Sequence, residues 1–292
     1  MHFKEYKSIL SPQNGMNIYR GCTHGCIYCD SRSTCYKMEH AFTDIEVKKD
    51  APLMLQKALS NKRKKAMIGT GAMTDSYIPL EKELKYTRKC LEAIDHYGFG
   101  LAIQTKSNLI LRDLDLLISI NRKAKCVVQI TLTTYDEALC RILEPYVSTT
   151  KERFEVLKTL RDNGIPTVVW LDPILPFIND TKENLMGILD YCIEAKVYGI
   201  ICFGMGLTLR EGSREYFYEK LEEHFPGLKE KYQKKYGYAY ELSSDNNKEL
   251  MEIFYTVCRK NGIVTGNDRL FEYLHTYTEK EVYDQLTLPW TL

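Results

Sequence analysis

The chain has 292 residues, 44% hydrophobic and 27% charged, enough for one large domain or two modest ones with a substantial core. Forty basic against 39 acidic residues give a net charge of +1, which removes the strongest compositional argument for a nucleic-acid binder and leaves only a local basic groove. The opening stretch MHFKEYKSILSPQNGMN has no secretory h-region and no run reaches about 18 apolar residues, so the expectation is a cytoplasmic protein with no membrane span.

In chain order, a first strand is predicted around Met16–Tyr19. It runs into GCTHGCIYCDSRSTCY (21–36), where Cys22, Cys26 and Cys29 are spaced C-x3-C-x2-C and Cys35 follows. KAMIGTG (65–71), LAIQTK (101–106), CVVQITLTT (126–134), TVVWLDPI (167–174) and GIICFGM (199–205) are continuously apolar, the pattern of strands buried on both faces. Amphipathic segments lie between them; Phe154, Leu157 and Leu160 mark one helical face, and Leu185, Ile188, Leu189, Cys192 and Ile193 another. Thr149 with Glu152, and Asp180 with Glu183, have the spacing of capping boxes. Pro79 suits a first helical turn, and Gly98 and Gly164 suit helix ends.

Strands recurring every 25 to 40 residues or so make about six βα units. The fold class is therefore α/β with parallel strands, a partial barrel or a doubly wound sheet, since six units fall short of the eight that close a full barrel. From Arg210 the chain becomes charged and tyrosine-rich. The expected division is a core over 1–209, carrying the N-terminal cysteine loop, and a C-terminal helical extension over 210–292 packed on it. Two basic stretches stand out. NKRKK (61–65) falls at the amino ends of the strands and reads as a solvated loop. KEKYQKKYGYAY (229–240) has the basic and aromatic residues of a nucleic-acid platform, or of a solvated helix.

The cytosol keeps thiols reduced, so clustered cysteines point to metal or redox chemistry rather than disulfides. The others, such as Cys192 in LDYCIEA and Cys202 in GIICFG, read as small buried hydrophobes. For the cluster, a zinc site from Cys22, Cys26, Cys29 and Cys35, with His24 as a further candidate, is one possibility. It lacks the two separated C-x2-C pairs usual for structural zinc. An iron–sulfur cluster fits better: three thiolates on one loop leave one iron open to a substrate or cofactor. The loop follows a first strand, which places it at the carboxyl ends where α/β enzymes build their sites.

Cys22-x3-Cys26-Ile27-Tyr28-Cys29 resembles the C-x3-C-x-aromatic-C signature of the radical S-adenosylmethionine (radical SAM) superfamily. MNIYRGCTHGCIYCDSR, IGTGAMTDSYIPLEKELKYTRKCLE, QTKSNLILRDLDLL, RILEPYVSTTKERFEVLKTLRDNGIP and DPILPFINDTKENL are similar to its spore photoproduct lyase-like group, over roughly residues 14 to 206. The resemblance implies a partial (βα)6 barrel. It also implies a [4Fe–4S] cluster on Cys22, Cys26 and Cys29 whose open iron binds S-adenosylmethionine, and a 5′-deoxyadenosyl radical that abstracts hydrogen from an unidentified substrate. An electron donor such as a flavodoxin or ferredoxin is implied as partner.

Carried over residue by residue, the resemblance puts Tyr28 beside adenine, Thr74 at the methionine end, Lys106 near the carboxylate, Thr131 at the ribose and Asp172 along the adenosine. Each has a plainer reading, such as Thr131 as a strand residue, Lys106 as a solvated strand end and Asp172 as a turn cap before Pro173. The group's lyase returns a hydrogen atom from a cysteine just after the second strand. Here Met73 stands near that place, and a thioether has no S–H to give. Nucleobase or photoproduct repair is thereby disfavoured, and a non-catalytic zinc module is the third alternative.

Overall fold

Six strands lie side by side in chain order, every neighbouring pair parallel: β1 (Gly15–Met16), β2 (Met67–Thr70), β3 (Gly100–Thr105), β4 (Cys126–Thr131), β5 (Thr167–Trp170) and β6 (Gly199–Ile201). The structure, a computed structural model, describes residues 1–280, so the last twelve positions of the expected extension lie outside the described residues. Each crossover carries a helix: α1 (Ala51–Ser60), α2 (Tyr86–His96), α3 (Leu114–Lys123), α4 (Thr150–Asp162) and α5 (Lys182–Glu194). This is the partial (βα)6 barrel that the resemblance implied, one of the two arrangements the apolar runs left open.

Both faces of the sheet are covered, which explains why the strands read as unbroken apolar runs. The outward set, including Ile68, Leu101, Ile103, Val128, Ile130, Val169 and Ile200, packs under the helices with exposures of 0%. The inward set climbs in steps of two: Met67 and Gly69, then Ala102 and Gln104, Val127 and Gln129, Val168 and Trp170. At the bottom, Met67, Ala102, Val127, Val168 and Ile201 meet Leu270 and Leu274 of a late helix, Asn267–His275, which plugs the amino end of the open barrel. The last inward positions, Gly71, Lys106, Thr131 and Asp172, come out together at the carboxyl end.

Several local expectations are corrected. Of the predicted first strand only Met16 joins the barrel, together with Gly15 before it. Tyr19–Arg20 turns away to pair antiparallel with Glu46–Lys48, which pairs on its other side with His2–Lys4. The N-cap of α5 is Thr181, whose hydroxyl accepts from Asn184 N at 3.2 Å; the Asp180 carboxylate instead accepts the Ser244 hydroxyl. Pro79 lies just ahead of a short helix, Glu81–Leu84, where its carbonyl accepts from Lys82 N. Thr149 and Glu152 do form a capping box on α4, with Glu152 Oε2 2.7 Å from Thr149 N. Gly98 and Gly164 carry the positive φ that ends α2 and α4. Cys90, Cys126, Cys140, Cys192, Cys202 and Cys258 are buried and free.

Beyond the barrel come helices α6 (Ser213–His224), α7 (Leu228–Tyr236) and α8 (Asn247–Lys260), besides the plugging helix. The extension is not wholly helical: Glu241–Ser243 pairs antiparallel with Gly206–Thr208, across the 209/210 point. Phe217, Tyr218, Leu221, Tyr232 and Leu242 pack against Cys26, Ile27, Tyr28 and Leu143, so this part of the chain covers the cysteine loop. Each such aromatic side chain contributes roughly 1.5–3 kcal/mol by burial. No helix among the described residues is long and apolar enough to cross a membrane.

Candidate active site

A cavity of about 340 Å³ opens at the carboxyl end of the strands, within the range of small-molecule sites. One wall is the loop from Cys22 to Ser31; the other is the ring of strand ends at Gly71, Gln104, Lys106, Thr131, Trp170 and Asp172. Cys22, Cys26 and Cys29 all line it, whereas Cys35 is exposed and does not. Burial pushes the Cys22 thiol up to about 12 and holds the Cys26 thiol well above its usual range. Metal binding draws on the thiolate forms and releases the protons such thiols hold.

Gly71 makes room where β2 meets the cavity. Its φ is +95°, and an added Cβ would lie 2.0 Å from the Gln104 carbonyl oxygen, so only glycine fits. Beyond it the chain turns through Ala72–Asp75. Thr74 is buried but faces a neighbouring cavity; Asp75 is the side chain that reaches the cysteines' cavity. Its carboxylate accepts from Thr105 Oγ1 (2.7 Å), Lys106 N (2.7 Å) and Tyr77 N (2.8 Å), and lies 3.5 Å from His24 Nδ1. Asp75 thereby ties the ends of β2 and β3 to the middle of the cysteine loop.

The remaining candidates do converge. Lys106 lies with its ammonium 6.0 Å from the Tyr28 ring centre. Burial opposes its charge, and the neighbouring Cys26, Glu144 and Asp75 more than offset that, so it stays charged. Burial pushes the Asp172 carboxyl up to about 7, with Lys106 pulling the other way. Thr131 is 2% exposed, lines the cavity, and its hydroxyl has no hydrogen-bond partner. A buried hydroxyl left unpaired costs free energy, which a ligand's polar group at this height would recover.

Tyr28 is anchored from behind. Its hydroxyl donates to Glu144, which is ion-paired with Arg153, both at 0% side-chain exposure. Arg153 also donates to the Thr131 carbonyl oxygen (2.6 Å), and so spans from β4 to the cysteine loop's support. The segment around Glu144 holds the loop's backbone as well, through Ile27 N to Leu143 O (3.0 Å) and Tyr146 N to His24 O (3.1 Å). Sequence reasoning missed Glu144 and Arg153. The available signal was that Arg153 stands four and seven residues before Leu157 and Leu160, on the buried face of α4.

The extension grips the same loop. Arg210 Nη1 pairs with Asp30 Oδ2 at 2.6 Å, Thr34 N donates to Glu211 O at 3.0 Å, and the Arg32 guanidinium lies 3.7 Å from the centre of the Tyr216 ring. Cys35 is exposed and off the cavity, the loop cysteines are free, and among the described residues neither they nor His24 gather closely enough to share a single metal ion, so a disulfide or four-cornered zinc reading finds no support in this geometry.

A six-stranded parallel partial barrel with three loop thiols in its mouth is the arrangement of radical SAM enzymes. The profile of the Radical SAM superfamily matches residues 16–192, more than half of the chain, and the chain belongs to that superfamily of enzymes. It is 32% identical over 213 residues to the uncharacterized protein MJ0683 of Methanocaldococcus jannaschii, covering 72% of this chain and 76% of that one. It is 28% identical over 227 residues to the uncharacterized protein Rv2578c of Mycobacterium tuberculosis, covering 76% of this chain and 66% of the relative. In fold it is similar to spore photoproduct lyase complexed with dinucleoside spore photoproduct. There the TM-score is 0.62 at 15% identity, over 90% of this chain and 80% of that structure.

Proposed function

We propose that the protein holds a [4Fe–4S] cluster on Cys22, Cys26 and Cys29 and binds S-adenosylmethionine against it. The purpose would be abstraction of a hydrogen atom from a substrate at the barrel mouth. The observation that carries this reading is the convergence of exactly those three thiols, and no fourth, on a cavity lined by Lys106, Thr131 and Asp172. The cluster and the sulfonium would together supply reductive carbon–sulfur cleavage, the hard step. The chain's own residues bind, orient and shield.

Lys106 is placed to pair with the methionine carboxylate, an ammonium in a partly buried setting where a charged hydrogen bond is strong. Thr131 offers its free hydroxyl to the ribose, and Asp172 accepts from a sugar hydroxyl once ionised. Tyr28, fixed through Glu144, lines the cavity and would stand beside the adenine, limiting its drift. Asp75 and His24 keep the loop at a set distance from the strand ends. The Leu207–Thr208 strand and Pro173 close the remaining side and limit entry of water.

Met73 lines the cavity, and the resemblance puts it near the lyase group's hydrogen-donating cysteine, so a thiol relay from that position is not part of this reading. The electron would come from a small redox protein such as a flavodoxin or ferredoxin. The test is anaerobic reconstitution followed by dithionite and S-adenosylmethionine. Formation of 5′-deoxyadenosine, lost in Cys26→Ala, supports the reading. A colourless zinc protein that leaves S-adenosylmethionine intact rules it out.

A further inference from the structure

A second cavity of about 320 Å³ lies beside the first, and Ser31 and Met73 line both. Ser31 Oγ donates to the Met73 carbonyl at 2.9 Å, so the partition between the two chambers is one side-chain-to-backbone contact. Met73 is 37% exposed and its unbranched thioether side chain is adaptable, a partition that can move aside. This chamber is built largely from the segments before and after the cysteine loop, with Tyr6, Tyr19, Tyr36 and Phe42 giving aromatic walls, and Arg20 and Lys48 giving two cations.

Those cations are unusually placed. Among the described residues, neither has a carboxylate oxygen within 4 Å, and the Glu46 carboxylate nearby is already engaged by Tyr6 and, at 3.1 Å, by Lys4. Arg20 donates to the Tyr36 carbonyl oxygen at 2.8 Å and also hydrogen-bonds the Tyr6 hydroxyl, and Lys48 Nζ lies 4.6 Å from the centre of the Tyr6 ring. Burial and then the like charge of Arg20 lower the Lys48 pKa. Glu46 offsets part of this charge from outside the chamber, and an anion entering between the two cations would balance the rest. Aromatic walls take up a flat ring, and a pair of cations matches a dianion better than a single charge.

We propose that this second chamber is the anchoring site for the substrate, and that it takes a small aromatic molecule carrying a phosphate group. Arg20 and Lys48 hold the phosphate, the tyrosines hold the ring, and the part to be attacked extends past Met73 into the first cavity. The link to hydrogen abstraction rests on the proposed function; the binding site itself does not.

The experiment is calorimetric titration of the full-length protein with phenyl phosphate, beside benzoate, inorganic phosphate and benzyl alcohol. Phenyl phosphate should bind at least about tenfold more tightly than any of the three, the margin of one charged hydrogen bond or one ring contact. Lys48→Met and Arg20→Met should each weaken it about tenfold. Lys48→Arg should retain it, and Lys64→Gln, in the solvated 61–65 loop, should leave it unchanged. Equal affinity for phenyl phosphate and inorganic phosphate, or full binding in Lys48→Met with wild-type thermal unfolding, overturns the proposal. Preference for benzoate overturns the phosphate assignment. Failure to bind phenyl phosphate in a protein that still cleaves S-adenosylmethionine would refute the anchoring site and leave the proposed chemistry standing. Binding without cleavage would do the reverse.

Discussion

Arg153→Met is the substitution whose consequence the buried architecture states most sharply. It removes the ion-pair partner of Glu144 where neither side chain touches solvent, leaving a buried carboxylate beneath Tyr28 with only the more distant Lys106 to offset it. Breaking such a pair from one side costs about 3–5 kcal/mol. The Thr131 carbonyl oxygen also loses a donor at 2.6 Å, worth about 1 kcal/mol more. The expected loss of about 4–6 kcal/mol is a large share of the 5–15 kcal/mol typical of a folded domain. Because the cost is mainly the stranded charge, the double variant Glu144→Gln/Arg153→Met should recover at least about 2 kcal/mol of it. Urea unfolding followed by circular dichroism reads all three proteins, with the slope checked for constancy. A single variant that loses less than about 1 kcal/mol, or a double variant no more stable than the single, would refute the reasoning.

Other outcomes follow from the same geometry. The Asp172 carboxyl, held at about 7 against 3.8 when exposed, binds its proton more tightly folded than unfolded. Its contribution is therefore full below about pH 4 and is lost as pH rises through 7, by at most about 4 kcal/mol. Asp172→Asn should gain stability relative to the wild type between pH 5 and 8, read by urea unfolding at each pH; a difference that does not change with pH contradicts this. Gly71→Ala forces a Cβ onto the Gln104 carbonyl oxygen at positive φ and should lower the unfolding midpoint while weakening S-adenosylmethionine binding in calorimetry. Gly98→Ala, where nothing lies within 4 Å of the added Cβ, should be milder and should leave cofactor binding alone.

The barrel was legible because parallel strands covered on both faces write themselves as unbroken apolar runs, such as Cys126–Thr131 with every residue buried. The ends were less so. Leu132 and Thr133 continue the apolar and polar character of β4 after the ladder has stopped, and Ile18–Tyr19 are buried against another sheet, so hydropathy alone extends both strands. The three thiols came from the motif and Lys106, Thr131 and Asp172 from the resemblance, and all six line one cavity. Thr74 does not, because the chain leaves the strand at Thr70 and the alternation that orients side chains ends there. Asp75 next to it has the same polarity, and only the turn decides which of the two faces the loop. Glu144 and Arg153, nine residues apart across a loop and a helix start, meet only in three dimensions.

The central claim concerns which thiols do the work. Iron and sulfide analysis with electron paramagnetic resonance, on anaerobically reconstituted wild type, Cys26→Ala and Cys35→Ala, tests it most directly. The expected result is about four irons per chain in the wild type, with a signal altered by S-adenosylmethionine. Cys35→Ala should match it and Cys26→Ala should lose it. A Cys35→Ala protein that cannot assemble the cluster, or a wild type whose signal is indifferent to S-adenosylmethionine, would contradict the account.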